Sequence, residues 1–194
     1  MSRLTAEPED REDTAIDGRR FRDVMGHFCT GVVIVAASGE DGPAGFACQS
    51  FSALSLDPPL VLFCPARTSR TWPVIERAGR FTVNVLAESQ RPVSEVFGRS
   101  GPDKFTGTDW ARTPHGTPLL NRAAAWAECS VRQVHAAGDH YIVVGRVTDL
   151  GTHGDQRPLL FHRGTYTGVT PGHVPGPARL PETLADPFLT GDWF

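Results

Sequence analysis

The sequence predicts a mainly β domain with a few short helices, and three observations carry that prediction. Short strand-forming runs recur at regular spacing, punctuated by clusters of Gly, Pro and Asp. The βαβ alternation of a parallel sheet is missing, so the strands should pair antiparallel and curl into a closed or nearly closed barrel. Neither GxGxxG nor GxxxxGK[ST] occurs, so a nucleotide cofactor bound here would be held by neither a Rossmann fold nor a P-loop.

Residues 1–17 are dense in charge and poor in apolar side chains, which predicts a disordered arm because burial cannot offset the entropy of ordering. From Asp17, a candidate N-cap, Phe21, Val24, Met25 and Phe28 share one helical face, and this first helix should end near Cys29. TGVVIVAAS and PAGFACQSF then read as two strands joined at Gly39, Glu40, Asp41 and Gly42, residues that supply the positive φ a hairpin needs. The unbroken apolar run LVLFC at 60–64 predicts a buried strand, and a short helix follows over 69–79. RFTVNVL alternates as a strand, a second short helix is expected over 89–97, and 98–118 reads as a loop too long to be a simple connector. AAAWAECSVRQVHAA, HYIVVGRVTDL and RPLLFHRGTY supply three more strands. The result is one domain over 18–169, followed by an extended tail over 170–194 with an apolar end.

At 194 residues with 40% hydrophobic content, the chain is long enough for one well-packed domain. A net charge of -3 and scattered arginines argue against nucleic acid as a partner. No apolar run approaches the roughly 20 residues of a membrane helix, and the first residues carry no signal-peptide pattern, so a cytoplasmic location without membrane contact is expected. Cys29, Cys48, Cys64 and Cys129 are widely spaced with no Cys/His cluster, which predicts buried thiols and no metal. His27, His115, His135, His153, His162 and His173 likewise lack metal-ligand spacing.

Chemistry concentrates in GFACQSFSALSLDPPL, where a strand gives way to small hydroxyl and amide residues and then to a Pro-Pro turn. Gly45 and Ala47 would let a flat ring approach the backbone, and Gln49, Ser50, Ser52 and Ser55 would bond a heteroaromatic ring or a phosphate; an ordinary polar strand end is the alternative. Ser69, Arg70, Thr71 and Trp72 open a helix, so they form either a phosphate cradle at its positive end or a cap with Trp72 in the core. Asn84, an amide within an apolar strand, needs a buried partner, which a ligand or a neighbouring backbone would supply. His140 opens a strand where it would project at a barrel mouth, in either a structural or a catalytic role.

Six segments in this order and spacing, namely FRDVMGHFCTGVVIV, GFACQSFSALSLDPPLVLFCPARTSRTW, RFTVNVL, DKFTG, GDHYIVVGRV and PLLFHRGTYTG, resemble the flavin reductase-like, FMN-binding split-barrel family. The resemblance runs from Phe21 to Val169. It implies a six-stranded antiparallel split barrel that forms a homodimer, with one flavin per subunit in a groove near the interface. It places the isoalloxazine along Phe46, Ala47, Cys48, Gln49, Ser50 and Ser52, and the phosphates near Ser69, Arg70, Thr71 and Trp72. Asn84, Lys104 and Phe105 are implied as further cofactor contacts, and His140 and Tyr166 as residues that receive the nicotinamide, with His140 the catalytic candidate.

The implied activity is an NAD(P)H:flavin oxidoreductase that reduces FAD or FMN with NADH, or else NADPH, and hands the reduced flavin to a monooxygenase component. Flavin and nicotinamide bring their own reactivity, so the protein need only hold the rings about 3 to 3.5 Å apart and exclude water. Related reductases serve hydroxylases of steroid rings, phenols and antibiotic precursors. A flavoprotein with a fixed flavin and another acceptor, or a flavin-binding module without turnover, is the alternative; the presence of both His140 and Tyr166 favours turnover. For the tail, the apolar residues Phe188, Leu189, Trp193 and Phe194 predict docking, either across to a second subunit or back onto the same barrel.

Overall fold

The computed structural model describes residues 16–101 and 104–169, so the bulk of the predicted arm and the whole tail lie outside the described residues. In chain order the elements are α1 (Gly18–Met25), β1 (Thr30–Gly31), β2 (Val33–Gly39), β3 (Gly42–Cys48), β4 (Ser52–Leu56) and β5 (Pro59–Phe63). They continue with α2 (Trp72–Ala78), β6 (Arg80–Val85), a 3₁₀ turn (Glu88–Gln90), α3 (Arg91–Gly98), β7 (Trp110–Arg112) and β8 (Pro118–Leu120). The chain closes with β9 (Ala125–Ala137), β10 (His140–Thr152), β11 (Leu160–His162) and β12 (Thr165–Thr167).

Seven strands form one antiparallel sheet in the order β3-β2-β6-β9-β10-β5-β4, where the resemblance implies six. Residues of β2, β3, β5, β6, β9 and β10 all enter a single core cluster, together with Trp72 and Ile75 of α2. A sheet whose second and second-last strands share one core must curl strongly, and register shifts in β10 at Val144/Gly145 and Val147/Asp149 add bend and twist. Among the described residues no ladder joins the outer strands β3 and β4. Period-two alternation sends Phe81 and Val83 of β6 to this inner core and Thr82 and Asn84 to the opposite face.

A second core lies outside the curl, where Ile34 and Ala36 of β2 meet Phe97 of α3, Phe105, Leu120 and Leu159. Both faces of β2 are therefore buried, which explains its unbroken apolar run in an otherwise alternating sheet.

Three local expectations change. The stretch of small hydroxyl and amide residues that precedes the Pro-Pro turn contains the edge strand β4, paired to β5. The run RPLLFHRGTY is not one strand: Arg163 at φ 49 and Gly164 at φ 79 turn it into the β11–β12 hairpin, with β1 alongside. The long loop after α3 carries the β7–β8 hairpin, which lies over the outer face of the sheet. Elsewhere the predicted hairpin forms, with Gly39 opposite Gly42 and Gly42 at φ 118. Asp17 caps α1 by accepting from the Arg20 N–H at 3.3 Å. No helix among the described residues is long and apolar enough to cross a membrane.

Candidate functional site

The end of the sheet where β5 stops and β10 begins gathers one half of the predicted site residues. Ser50 follows β3, and its hydroxyl brackets the backbone of Cys64 beyond β5, accepting from the Cys64 N–H at 2.9 Å and donating to its carbonyl at 3.3 Å. The loop from Pro65 is tied to the β9–β10 turn: the Tyr141 N–H donates to the Pro65 carbonyl and the Arg67 N–H to the Asp139 carbonyl, each at 2.9 Å. Ala66 and His140 form a bridge pair, so the approach to α2 and the start of β10 form one rim.

Aromatic rings stand under this rim. Phe46, Phe63, Trp72 and Tyr141 follow one another at centroid spacings of 6.2, 6.2 and 6.0 Å, and the Arg67 guanidinium sits 5.7 Å from the Tyr141 ring centre. The buried indole of Trp72 is thus part of the core, as one of the two sequence readings has it. The N-cap of α2 is Thr71, which makes no side-chain cap bond, and Ser69 lies two residues before it with its Oγ accepting from the Trp72 N–H at 3.2 Å.

Above these rings several polar groups remain open. Arg70 is exposed, and neither its guanidinium nor the Thr71 hydroxyl makes a hydrogen bond among the described residues. Gln49 lies apart from these rings, lining the cleft beside α1 with Thr30 and Phe161; it is exposed, its carbonyl oxygen accepting from the Thr30 hydroxyl at 3.4 Å while its amide nitrogen is uncommitted among the described residues. His140 is half-buried, its Nδ1 donates to the Asp139 carboxylate at 2.8 Å, and Nε2 makes no hydrogen bond among the described residues. The hydrogen bond and charge of His140 hold the Asp139 carboxyl below its ordinary range. Ser52, also exposed, donates to the Ala53 carbonyl at 2.9 Å, and Ser55 is half-buried in the edge strand.

The other predicted residues lie elsewhere, and the structure corrects several readings. Asn84 is fully buried and satisfied by backbone, donating to the carbonyls of Ile34 and Pro118 and accepting from the Leu120 N–H at 2.8 Å. Phe105 is buried between Phe97 and Trp110, so its ring is a core contact and not a free platform. Lys104 donates to the carbonyls of Phe97 and Gly45 at 3.0 and 3.3 Å, tying the loop to α3 and β3, and burial pulls its pKa below the ordinary lysine value. Gly45 makes room for Phe97, whose ring would lie 2.9 Å from an added Cβ, not for a cofactor ring. Ala47 packs against the outer core. Tyr166 shares a hydrogen bond with Ser94 at 3.0 Å and lies under Arg91, in a cluster separate from that of His140.

Of the thiols, Cys48 and Cys129 are buried, Cys64 is half-buried, and Cys29 is exposed, contrary to the expectation for it. Burial pushes the Cys48 thiol up, partly countered by Ser50, and burial with the neighbouring Glu128 charge pushes Cys129 up to about 12. Neither is a ready nucleophile. Among the described residues no group of His, Cys, Asp and Glu could hold a metal ion.

A polar cluster that sequence reading missed lies on the outer face. The fully buried Glu128 of β9 accepts from the hydroxyls of Thr117 and Thr113 at 2.6 and 2.7 Å, and from His115 Nδ1 at 2.7 Å. Thr82 donates to Thr117 at 2.5 Å. Burial raises the Glu128 pKa, but the three hydrogen bonds and the His115 charge outweigh it and leave the carboxyl below its ordinary value. A lone acid in the apolar run AAAWAECSV was the available signal.

The chain belongs to the family described as flavin reductase like domain, which matches residues 25–170. It is 55% identical over 166 residues to the reductase subunit HsaB of a flavin-dependent monooxygenase from Rhodococcus jostii (strain RHA1), covering 85% of each chain. Among solved structures it resembles nitrilotriacetate monooxygenase component B from Mycobacterium thermoresistibile, with a TM-score of 0.77, 53% identity, and coverage of 79% of this chain and 87% of that one. It also resembles the Streptomyces globisporus C-1027 NADH:FAD oxidoreductase SgcE6, solved in complex with NAD and FAD fragments, at a TM-score of 0.77 and 31% identity, covering 87% and 99% of the two chains.

Proposed function

We propose that this protein is the reductase component of a two-component flavin-dependent monooxygenase, an NADH:flavin oxidoreductase that releases reduced FAD or FMN to its partner. The observation that carries the reading is the rim at the sheet end, where Arg70, Thr71 and His140 leave polar groups uncommitted above an aromatic floor, in a chain of the flavin reductase family. The similarity to reductase subunits of monooxygenases and to an NADH:FAD oxidoreductase supports the electron donor and the recipient.

The residues present suit a flavin. A guanidinium and a hydroxyl beside the start of α2 match phosphate oxygens, and the Gln49 amide matches a ring carbonyl. When bound, the flavin supplies the hydride-accepting chemistry. The chain's own residues bind and orient: Arg70 and Thr71 hold phosphate, and Ser50 fixes the β3 end against Cys64 so that Gln49 is presented. Asp139 fixes the ring of His140, so that Nε2 would be the nitrogen offered to a nicotinamide carboxamide. The aromatic floor excludes water.

The six strands that line the inner core form the split barrel in this reading, with the seam between β3 and β5 and with β4 extending the sheet beyond β5. Two copies associate with the groove near their interface. The edge strand β4, with Leu54 exposed and Leu56 77% exposed, supports such an association because an open apolar edge needs covering.

The deciding experiment is NADH oxidation by purified protein with and without added FAD or FMN. Turnover that depends on added flavin is the expected result. Stoichiometric co-purified flavin with turnover indifferent to added flavin would make it a fixed-flavin enzyme, and no oxidation with either flavin would leave a binding module. Sedimentation across dilution, with Leu56→Asp beside the natural chain, tests the dimer.

A further inference from the structure

Two of the four cysteines lie on either side of the opening in the curled sheet. Cys48 ends β3 and Cys64 follows β5, and these two strands share the inner core with no ladder between them. The gap is narrow: Phe46 and Phe63, one on each strand, stand 6.2 Å apart between ring centres. The Ser50 hydroxyl spans it, sharing a hydrogen bond with the Cys48 sulfur at 3.3 Å and accepting from the Cys64 N–H at 2.9 Å. The Cys48 thiol is thus one hydroxyl away from the Cys64 backbone, on the scale of a disulfide, whose Cα atoms stand roughly 4.4 to 6.8 Å apart. Burial pushes the Cys48 thiol up, hydrogen bonds from Ser50 and the Cys64 backbone partly counter it, and the Cys64 thiol is close enough to add to the rise.

We propose that Cys48 and Cys64 are a redox pair that hydrogen peroxide converts to a disulfide across this gap. Exposure assigns the order of events. Cys64 is half-buried and open to peroxide, whereas Cys48 is 5% exposed and closed to it. The Cys64 thiolate attacks one peroxide oxygen, the O–O bond breaks, and hydroxide leaves to give the sulfenic acid. The Cys48 sulfur then attacks the Cys64 sulfur, its proton passes to the departing hydroxide, and water leaves. Two thiols thus lose two electrons and two protons, and one peroxide becomes two waters. Hydrogen peroxide forms when dioxygen takes two electrons and two protons from a reduced flavin, so its supply at this rim rests on the function proposed above. Drawing Cys64 onto Cys48 breaks the Ser50 bracket, so the oxidised form should also hold flavin less tightly.

The test uses the full chain with Cys29→Ser, which removes the exposed thiol and leaves Cys48, Cys64 and Cys129. An equimolar amount of hydrogen peroxide, added to the native protein, should lower the free thiols from these three to Cys129 alone. Chymotryptic fragments carrying Cys48 and Cys64 should stay joined until dithiothreitol is added. Cys48→Ser in the same background should stop at a Cys64 sulfenic acid that dimedone captures. Flavin affinity of the oxidised protein should be lower by about fivefold or more and return on reduction. Three free thiols after peroxide overturn the proposal, as does a Cys64 sulfinic acid beside a free Cys48, or a disulfide between the Cys64 residues of two chains. A Cys48–Cys64 bond at unchanged flavin affinity overturns the coupling to the site. The thiols are counted without flavin, so failure of the flavin reading leaves that result legible.

Discussion

On the outer face of the sheet, Thr82, Asn84, Thr113, Thr117 and Glu128 direct their polar atoms at one another and at the β7–β8 hairpin. At the sheet end, Gln49, Arg70, Thr71 and His140 keep at least one polar group open. The residue types are much the same, yet the first group clasps a hairpin and the second faces outward. A buried polar atom must be paired within the fold, whereas one at a rim can wait for a ligand. Polar residues inside strands are therefore consumed by the fold here, and those at strand and helix ends are left open.

Breaking the clasp should give the largest effect. Glu128→Ala takes the acceptor from the buried Thr113 and Thr117 hydroxyls and from His115 and is expected to cost about 3 to 5 kcal/mol by urea unfolding, with flavin affinity of the folded protein retained. A loss under about 1 kcal/mol would remove the clasp from the comparison. Its titration sharpens the same point. A carboxyl whose folded pKa is depressed stabilises the fold above the ordinary glutamate value of about 4.3, and that contribution is lost as pH falls through the folded value. Stability of the natural chain should thus fall off below about pH 4.3, and Glu128→Gln should flatten that part of the profile.

At the rim the effect should move from stability to binding. Arg70→Ala with Thr71→Ala should weaken flavin binding by roughly 1.5 to 3 kcal/mol, read by fluorescence titration, with little change in melting temperature. Unchanged affinity would deny these residues the phosphates. His140→Ala should slow flavin reduction by NADH about tenfold, about 1.4 kcal/mol in the barrier, at near-natural flavin affinity in stopped flow. Lost affinity with unchanged reduction would place His140 on the wrong ligand. The smallest effect is expected from Ser69→Ala, about 1 kcal/mol of stability through the lost hydrogen bond to the first N–H of α2, with flavin binding intact. A binding defect without a stability defect would return Ser69 to the phosphate site.

The sequence by itself determined the β-rich architecture, most strand positions and the first helix with its cap, because period-two alternation, turn glycines and N-cap chemistry are local signals. The order of motifs was enough for the resemblance to a flavin reductase. Tertiary structure alone decided which polar residues are consumed inside the fold. Asn84 and Gln49 are both amides next to strand-forming residues, but one meets the backbone of a hairpin some 35 positions away and the other meets solvent. Gly45 looked like room for a ring until α3 laid Phe97 against it. Local sequence sets a side chain's direction from its own strand, but long-range packing determines what lies in that direction.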